Sequence, residues 1–459
     1  MTNIKHIIRR LGVAALSVVW LAPGGCGSTS SDDGGVVTAT DRFDWLQTAQ
    51  LALASDCSEA ERFFREAAIT QMELELESNR RCWLDDGGCM WRLAAGEDSN
   101  GEEQGVPSND SGDDATPDEW SETNTQVEGV DEADFVKNTG TRIYALFGHD
   151  LVIMKSWPAA ETAELGRVSI KGWPSSFYLY EDKVVALSSA NYYDLLPQEL
   201  REDDGEGAYR NYWRQVTLVT VIDISDETAP VIAEEHVMDG LQLSSRRIDE
   251  HIYLAQVNHA WIDGLKMYPD IDRDARADEI NAAFDAMRAH NVAVIEALPL
   301  SHWLPNRYPL GADGTFDPSA GEPITSCDAV YRPNVYAGRQ VLSVVTFDLD
   351  DDSIHGSSIV GDWGNVYASL GALYIGTSNW NYYWWWETSD DADVPALRTQ
   401  IHKFAFGEDG DADYVASGSV LGYAINQFAF DEHDGALRVA TTDGFGWWNT
   451  SETTESRVT

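Results

Sequence analysis

The chain is 459 residues long, 43% hydrophobic and 11% aromatic, with 77 acidic against 31 basic side chains and a formal net charge of −46. That apolar content suffices for a sizeable core, and the length points to a repeat or barrel architecture rather than one ordinary domain. Such a surface repels phosphate backbones, which excludes nucleic acid as a partner; the acidity itself reads either as a solvated face suited to a salty exterior or as divalent-cation binding.

Residues 1–26 place Lys5, Arg9 and Arg10 before the apolar run LGVAALSVVWLA (Leu11–Ala22), too short for a membrane span, and end in Pro23-Gly24-Gly25-Cys26. The segment resembles a bacterial lipoprotein signal, which implies lipidation of Cys26, with residues 27–40 as a flexible tether. Pro23 stands where that pattern has an aliphatic residue, so cleavage as an ordinary signal peptide is the alternative. Both imply export, either as an outer-membrane or cell-surface lipoprotein or by secretion, with membrane contact only through the N-terminal anchor. The other cysteines, Cys57, Cys82, Cys89 and Cys327, are even in number and candidates for two disulfides. Their spacing leaves all three pairings open and permits a local Cys82–Cys89 bridge. A zinc site lacks a neighbouring histidine.

Residues 41–95 form a helical lead-in. Asp56 can cap, Glu59 completes a capping box, and Phe63, Ala67 and Leu74 recur at roughly helical spacing. Residues 96–122, with almost nothing to bury, read as a disordered acidic linker. From residue 123 to 459 the period becomes two, and a four-strand unit repeats. The first unit holds ADFVKN, RIYALFG, LVIMKSW and LGRVSIKG; the second SFYLYED, KVVALSS, VTLVTVIDIS and PVIAEEHVMDG. The third holds LQLSSRRID, HIYLAQV, QVLSVVTFDLD and SIHGSSIVGD, interrupted by an insertion at about 258–338 whose helix carries Ile280, Phe284, Met287, Asn291, Val294 and Leu298 on one face. The fourth holds NVYASL, ALYIGTS, TQIHKFAFG and DYVASGSVLGY; a fifth begins with NQFAFDEHD and ALRVATT. The fold expected is all-β, a β-propeller of four-stranded blades with a short helical N-terminal segment and a helix inserted in one blade loop.

TNTQVEGVDEADFVK with the two β-runs after it, the block Ile401–Thr442, and CSEAERFFREAA resemble a family of secreted proteins with a C-terminal β-propeller distantly related to WD40 repeats. The resemblance implies the fold and an exported location. It implies no reaction, so no catalytic residue is transferred. Members continue with more blades where this sequence stops, so a truncated propeller of about four and a half blades is expected, with a polar tail after Asp443. The alternative is a four-bladed ring closed by pairing of residues 426–442 with 133–147.

Three motifs carry candidate chemistry. Glu128, Asp131, Glu132 and Asp134 read either as an acidic turn that fixes the first blade and covers its outer edge, or as a Ca²⁺ site, since hard cations want several close carboxylates. Asp270, Asp272 and Asp274 have the opening spacing of an EF-hand, but Ala275 and Asn281 stand where the glycine and bidentate glutamate are required, leaving helix capping as their use. NWNYYWWWETSDD supplies Trp380, Tyr382, Tyr383, Trp384, Trp385 and Trp386 in a loop between strands, extended by Trp447 and Trp448; the rings either stack on sugar or fold over the propeller face. No G-x-S-x-G, H-E-x-x-H, P-loop or G-x-G-x-x-G is present, and His402 reads as a strand residue. The expected function is a binding or scaffolding module for protein or glycan at the cell surface, with no certain cofactor beyond the Ca²⁺ candidate. The alternative is a propeller hydrolase or lyase acting on polysaccharide through separate blades.

Overall fold

The computed structural model describes residues 50–84, 125–201, 214–272, 275–334, 336–351, 353–362, 364–378, 397–407, 410–443 and 454–459. The chain divides into two units, Met1–Arg42 and Phe43–Thr459, and all described residues fall in the second. The signal segment, Cys26, the tether and the acidic linker therefore lie outside the described residues.

The first elements are β1 (Leu51–Leu53) and α1 (Cys57–Leu84). Asp56 accepts from the Glu59 N–H at 2.9 Å, and the Glu59 carboxylate reaches back to the Ser55 N–H and hydroxyl at 2.9 and 2.7 Å, one residue beyond the expected capping box. Those bonds hold the Glu59 carboxyl below its usual range. Blade 1 follows as β2 (Val136–Asn138), β3 (Arg142–Phe147), β4 (Asp150–Lys155) and β5 (Ala163–Ser169), and blade 2 as β6 (Trp173–Tyr180), β7 (Lys183–Asn191), a short α2 (Gln198–Arg201), β8 (Gln215–Asp223) and β9 (Val231–Asp239). Blade 3 opens with β10 (Leu241–Ile248) and β11 (His251–Asn258). The insertion then supplies α3 (Ala277–Glu296), α4 (Leu300–Trp303), β12 (Asn306–Pro309), β13 (Glu322–Pro323) and β14 (Thr325–Pro333), before β15 (Val341–Asp348) and β16 (Ile354–Val360) complete the blade. Blade 4 is β17 (Gly364–Ala368), β18 (Ala372–Ser378), β19 (Arg398–Phe406) and β20 (Ala412–Leu421); β21 (Phe430–His433), β22 (Ala436–Asp443) and β23 (Glu455–Val458) form a fifth, three-stranded sheet.

The blades pair in chain order, as a propeller requires. Each middle strand is sandwiched between two neighbouring blades, so both of its faces are apolar and the usual alternation becomes a continuous hydrophobic run. In β7, Val184 and Ala186 face Leu151 and Ile153 of blade 1 beside Phe177 of their own blade, while Val185 and Leu187 face Leu254 and Val345 of blade 3. In β18, Leu373 and Ile375 face blade 3, and Ala372 and Tyr374 face Phe430 and Val439 of the fifth sheet. The crossovers between blades share a device: the Thr217 hydroxyl donates to Gly240 O at 2.9 Å and the Thr399 hydroxyl to Gly422 O at 2.8 Å, both across 23 residues. Both glycines have positive φ, and a Cβ would meet a carbonyl of the next blade, Val257 O at 2.8 Å or Thr442 O at 2.6 Å.

Three features depart from the sequence expectations. The insertion adds strands as well as a helix: β12 and β13 extend the outer edge of blade 2, and β14, with β1 beyond it, extends blade 3. The tail after Asp443 contains β23, paired with β22 from Val458–Ala440 to Glu455–Asp443, because a short polar segment serves as an edge strand with one solvated side. The closed four-bladed arrangement is not formed either: β21 and β22 pair with each other and with β23, whereas β2 and β3 pair within blade 1.

The inserted helix uses its apolar face as packing. Ile280, Phe284, Met287 and Ile295 of α3 meet Phe63, Phe64, Ala67, Met72 and Leu76 of α1, with Trp303 stacked on Phe64 at 6.0 Å. The Cys57–Cys327 disulfide joins the start of α1 to β14. Cys82 is disulfide-bonded as well.

His402 on β19 is 1% exposed, with Nδ1 2.7 Å from the Ser417 hydroxyl on β20. Burial pushes its pKa down from 6.5 to about 4. The folded-state value is the depressed one, so above pH 6.5 both states are neutral and stability is complete. As pH falls from 6.5 through 4 the unfolded chain takes up a proton that the folded one refuses, and about 3 kcal/mol is lost. His402→Gln is expected to flatten the dependence of Tm on pH in that window, and an unchanged profile in the variant would refute the assignment.

Candidate functional site

Residues 126–134 lie along the first strands of the blades. Gln126 Nε2 donates to Gln427 O at 3.2 Å and Phe430 O at 3.1 Å beside β21, and Val127 packs into the seam between blade 4 and the fifth sheet. Gly129 sits against Leu370 in the β17–β18 turn. Asp131 forms an antiparallel bridge with Arg247 of β10, and Asp134 one with Phe177 of β6. The chain thus touches the fifth sheet and blades 4, 3 and 2 in turn before entering blade 1.

Two of the four carboxylates of this segment, Asp131 and Glu132, are paired with cations. Asp131 accepts from Lys137 Nζ at 2.6 Å and from Arg247 Nε and a terminal nitrogen at 3.2 Å each; Lys137 also donates to Glu132 O at 2.9 Å. Glu132 lies 3.6 Å from Arg246, which donates to Gln427 Oε1 at 2.9 Å. Lys137 and Arg246 are both buried. Glu128 is exposed, and Asp134 turns to the Phe135 N–H at 2.7 Å. The four residues therefore do not converge as an oxygen cage for Ca²⁺, and among the described residues no group of three or more His, Cys, Asp or Glu is arranged to hold a metal. The segment fixes the first strands of several blades from the inside rather than covering an outer edge. The sequence reading missed Lys137, Arg246 and Arg247; the available signal was basic residues within strands of a strongly acidic protein.

The strand ends form a second feature. β3, β7, β11, β18 and β22 all finish, and β6, β10, β17 and β21 all begin, at the same end of the blades, as antiparallel pairing requires. Phe147, Trp173, Trp261, Ile425 and Phe428 occur at this end and are 45% to 76% exposed. The insertion and the connections β7–β8 and β18–β19 leave from it too. Trp157, Val231 and Leu370 are exposed at the opposite end. The aromatic candidates Trp380, Tyr382, Tyr383, Trp384, Trp385 and Trp386 lie in the β18–β19 connection, outside the described residues, as do Trp447, Trp448 and Cys89.

The insertion is docked on blade 2 by a polar cluster. The buried Asp239 carboxylate pairs with Arg214 and accepts from Asn306 N at 3.1 Å and the Tyr308 hydroxyl at 3.2 Å, and Arg214 stacks 4.1 Å over the Tyr192 ring. Burial, reinforced by Asp239, pushes the Tyr308 hydroxyl far above its usual range, so it remains a donor. This cluster is satisfied internally and reads as structure. At the foot of α3, the Glu279 carboxylate caps Arg276 N at 3.1 Å; Asp274 lies outside the described residues.

A cavity of about 120 Å³ lies between α1 and blade 3, lined by Gln71, Glu75, His259, Arg339, Gln340 and Asp362. It is smaller than the roughly 300–1,000 Å³ of ordinary organic-ligand pockets.

A family profile described as "Beta propeller domain" matches residues 120–459. No curated protein matches the chain. Among solved structures, one described as the crystal structure of a functionally unknown protein from Desulfotomaculum acetoxidans DSM 771 is similar at 8% identity, over 61% of this chain and 79% of that one, with a TM-score of 0.16, too low to bear on the fold.

Proposed function

Because this chain belongs to the Beta propeller domain family, we propose that it is an exported cell-envelope protein, distantly related to WD40 propellers, that binds glycan through the strand-end face. The observation that carries this is the set of exposed rings Phe147, Trp173, Trp261 and Phe428 at the end of the blades from which the aromatic β18–β19 connection also departs. Exposed aromatic surface in a charged, acidic protein calls for a partner, and ring faces stack on sugars while neighbouring amides and carboxylates take the hydroxyls. A protein ligand at the same face is the variant of this reading. For the hydrolase or lyase alternative, Asp131 is not a free carboxylate: it is ion-paired with Lys137 and Arg247.

Export is supported by the Cys57–Cys327 disulfide, a bond at home in oxidising compartments. No described helix is long and apolar enough to cross a membrane, and anchoring is assigned to lipidated Cys26. Cys26→Ser should then shift the protein from the detergent-extracted membrane fraction to the soluble one; unchanged fractionation would refute the anchor.

The binding face is tested by pull-down of the purified chain with insoluble polysaccharides, peptidoglycan among them. Trp173→Ala with Trp261→Ala and Phe428→Ala should reduce retention by about tenfold or more, the scale of a lost aromatic hot spot. Trp384, Trp385 and Trp386 changed together to Ala should do the same. In both variants Tm should stay near that of the parent. Undiminished retention would refute the face, and a large fall in Tm would assign the rings to packing.

A further inference from the structure

We propose that the glycan held by the strand-end face is an uncharged linear polysaccharide that runs across several blades. This rests on the reading of that face as the binding surface and adds the class of its ligand.

The rings that carry the face belong to different blades. Phe147 ends β3 of blade 1, Trp173 opens β6 of blade 2, Trp261 follows β11 of blade 3, and Phe428 precedes β21 of the fifth sheet. Each is exposed on a backbone that is tied down. His149 Nδ1 lies 2.6 Å from Gly172 O, and Ile170 N donates to His149 O at 2.7 Å, which couples the turn after Phe147 to the crossover before Trp173. Arg339 donates to Ala260 O at 3.1 Å, beside Trp261. Asn426 Oδ1 accepts from Phe428 N at 3.0 Å, and Gln427 O between them accepts from Gln126 Nε2 at 3.2 Å. Positions fixed before the ligand arrives lower the entropic cost of binding. Neighbouring blades pack face to face at roughly 10 Å, so a mono- or disaccharide engages the ring of one blade and only a longer chain engages several. Linked contacts of that kind strengthen binding without any new contact. Exposed Ser175 and Asn426, each two residues from a ring, offer a hydroxyl and an amide to the sugar hydroxyls.

Charge selects the class. The hairpin turns at the opposite end of the blades carry Glu181, Asp182, Asp249, Glu250, Asp350 and Asp351, and among the described residues of those turns none is Lys, Arg or His. At the strand-end face the short connections 148–149, 170–172, 361–362 and 422–429 set Asp362 against Lys171 and His149. The net charge of −46 repels an anionic polymer from the surface as a whole, and a cationic one is drawn to the acidic end. The aromatic end is left to a polymer without charge. Ring stacking and hydroxyl hydrogen bonds hold such a chain, and neither is screened by salt as an ionic contact is.

Pull-down of the purified full chain on cellulose, chitin and curdlan tests this, with a polygalacturonate resin and chitosan as anionic and cationic matrices, at about 0.05 M and about 0.5 M NaCl. At least one uncharged polymer should retain the protein, with less than about a twofold change between the two salts. The anionic resin should retain about tenfold less or lower still at the lower salt. Soluble oligosaccharides of the retaining polymer then read the reach: the hexamer should compete about tenfold or more better than the dimer. Retention confined to either charged matrix, or a larger fall with salt on the uncharged polymers, would overturn the class. A smaller ratio of hexamer to dimer would overturn the placement across blades. In each of these results the protein is still retained by a polysaccharide, whereas no retention on any matrix would refute the strand-end face itself and this proposal with it. Every arm uses the parent protein, so no outcome depends on the folding of a variant.

Discussion

Asp131→Ala should cost the protein about 3–5 kcal/mol of stability, the range for removing one partner of a buried ion pair. Lys137 would be left buried with its ammonium bonded to the Glu132 carbonyl and no carboxylate, and Arg247 would lose both of its side-chain bonds to the segment. The backbone bridge between residues 131 and 247 and the Glu132–Arg246 ion pair would then be the remaining ties of the segment to blade 3. Chemical unfolding of the purified variant measures the loss. Adding Lys137→Met should recover part of it, because the stranded charge is removed with its partner. A cost below about 1 kcal/mol, the value of an exposed pair, would mean that the interaction is solvated and the segment is held by other contacts.

Reduction of the Cys57–Cys327 bond, or Cys57→Ser with Cys327→Ser, should destabilise the protein by about 2–5 kcal/mol. The bond spans 270 residues, so the unfolded chain gains much freedom when it opens. In the folded protein it joins the first turn of α1 to β14, and the contacts around Phe64, Phe284, Met287 and Trp303 should loosen first. Thermal unfolding with and without reductant reads the overall change, and tryptophan fluorescence of a Trp303→Phe control identifies the local part. A Tm insensitive to both reductant and the double substitution would contradict the role given to the bond.

The blades were legible because their strands are sandwiched. A run such as Val184 to Leu187, apolar on both faces, is difficult to place in anything but a strand between two sheets, and its turns recur at regular spacing. The strands added at the edges were not legible. β1 and β13 are three and two residues long and carry no period of their own; they exist because an existing edge offers them hydrogen bonds. The same limit hid the partners of the acidic segment. Four carboxylates in seven residues look like a cation site, and only the fold brings Arg247, 116 residues away, and buried Lys137 to Asp131. The cavity was invisible for the same reason, since its walls come from residues 71–75, 259, 339–340 and 362, and none of those stretches is a motif.

The most direct test of the account is a hydrogen-exchange map of the full chain with and without a retained polysaccharide. Protection is predicted in peptides covering Phe147, Trp173, Trp261 and Ile425–Phe428, together with the connection between Ser378 and Leu397. Protection confined to the turns at the other end of the blades, residues 139–141, 181–182, 249–250 and 369–371, would contradict the assignment of the binding face.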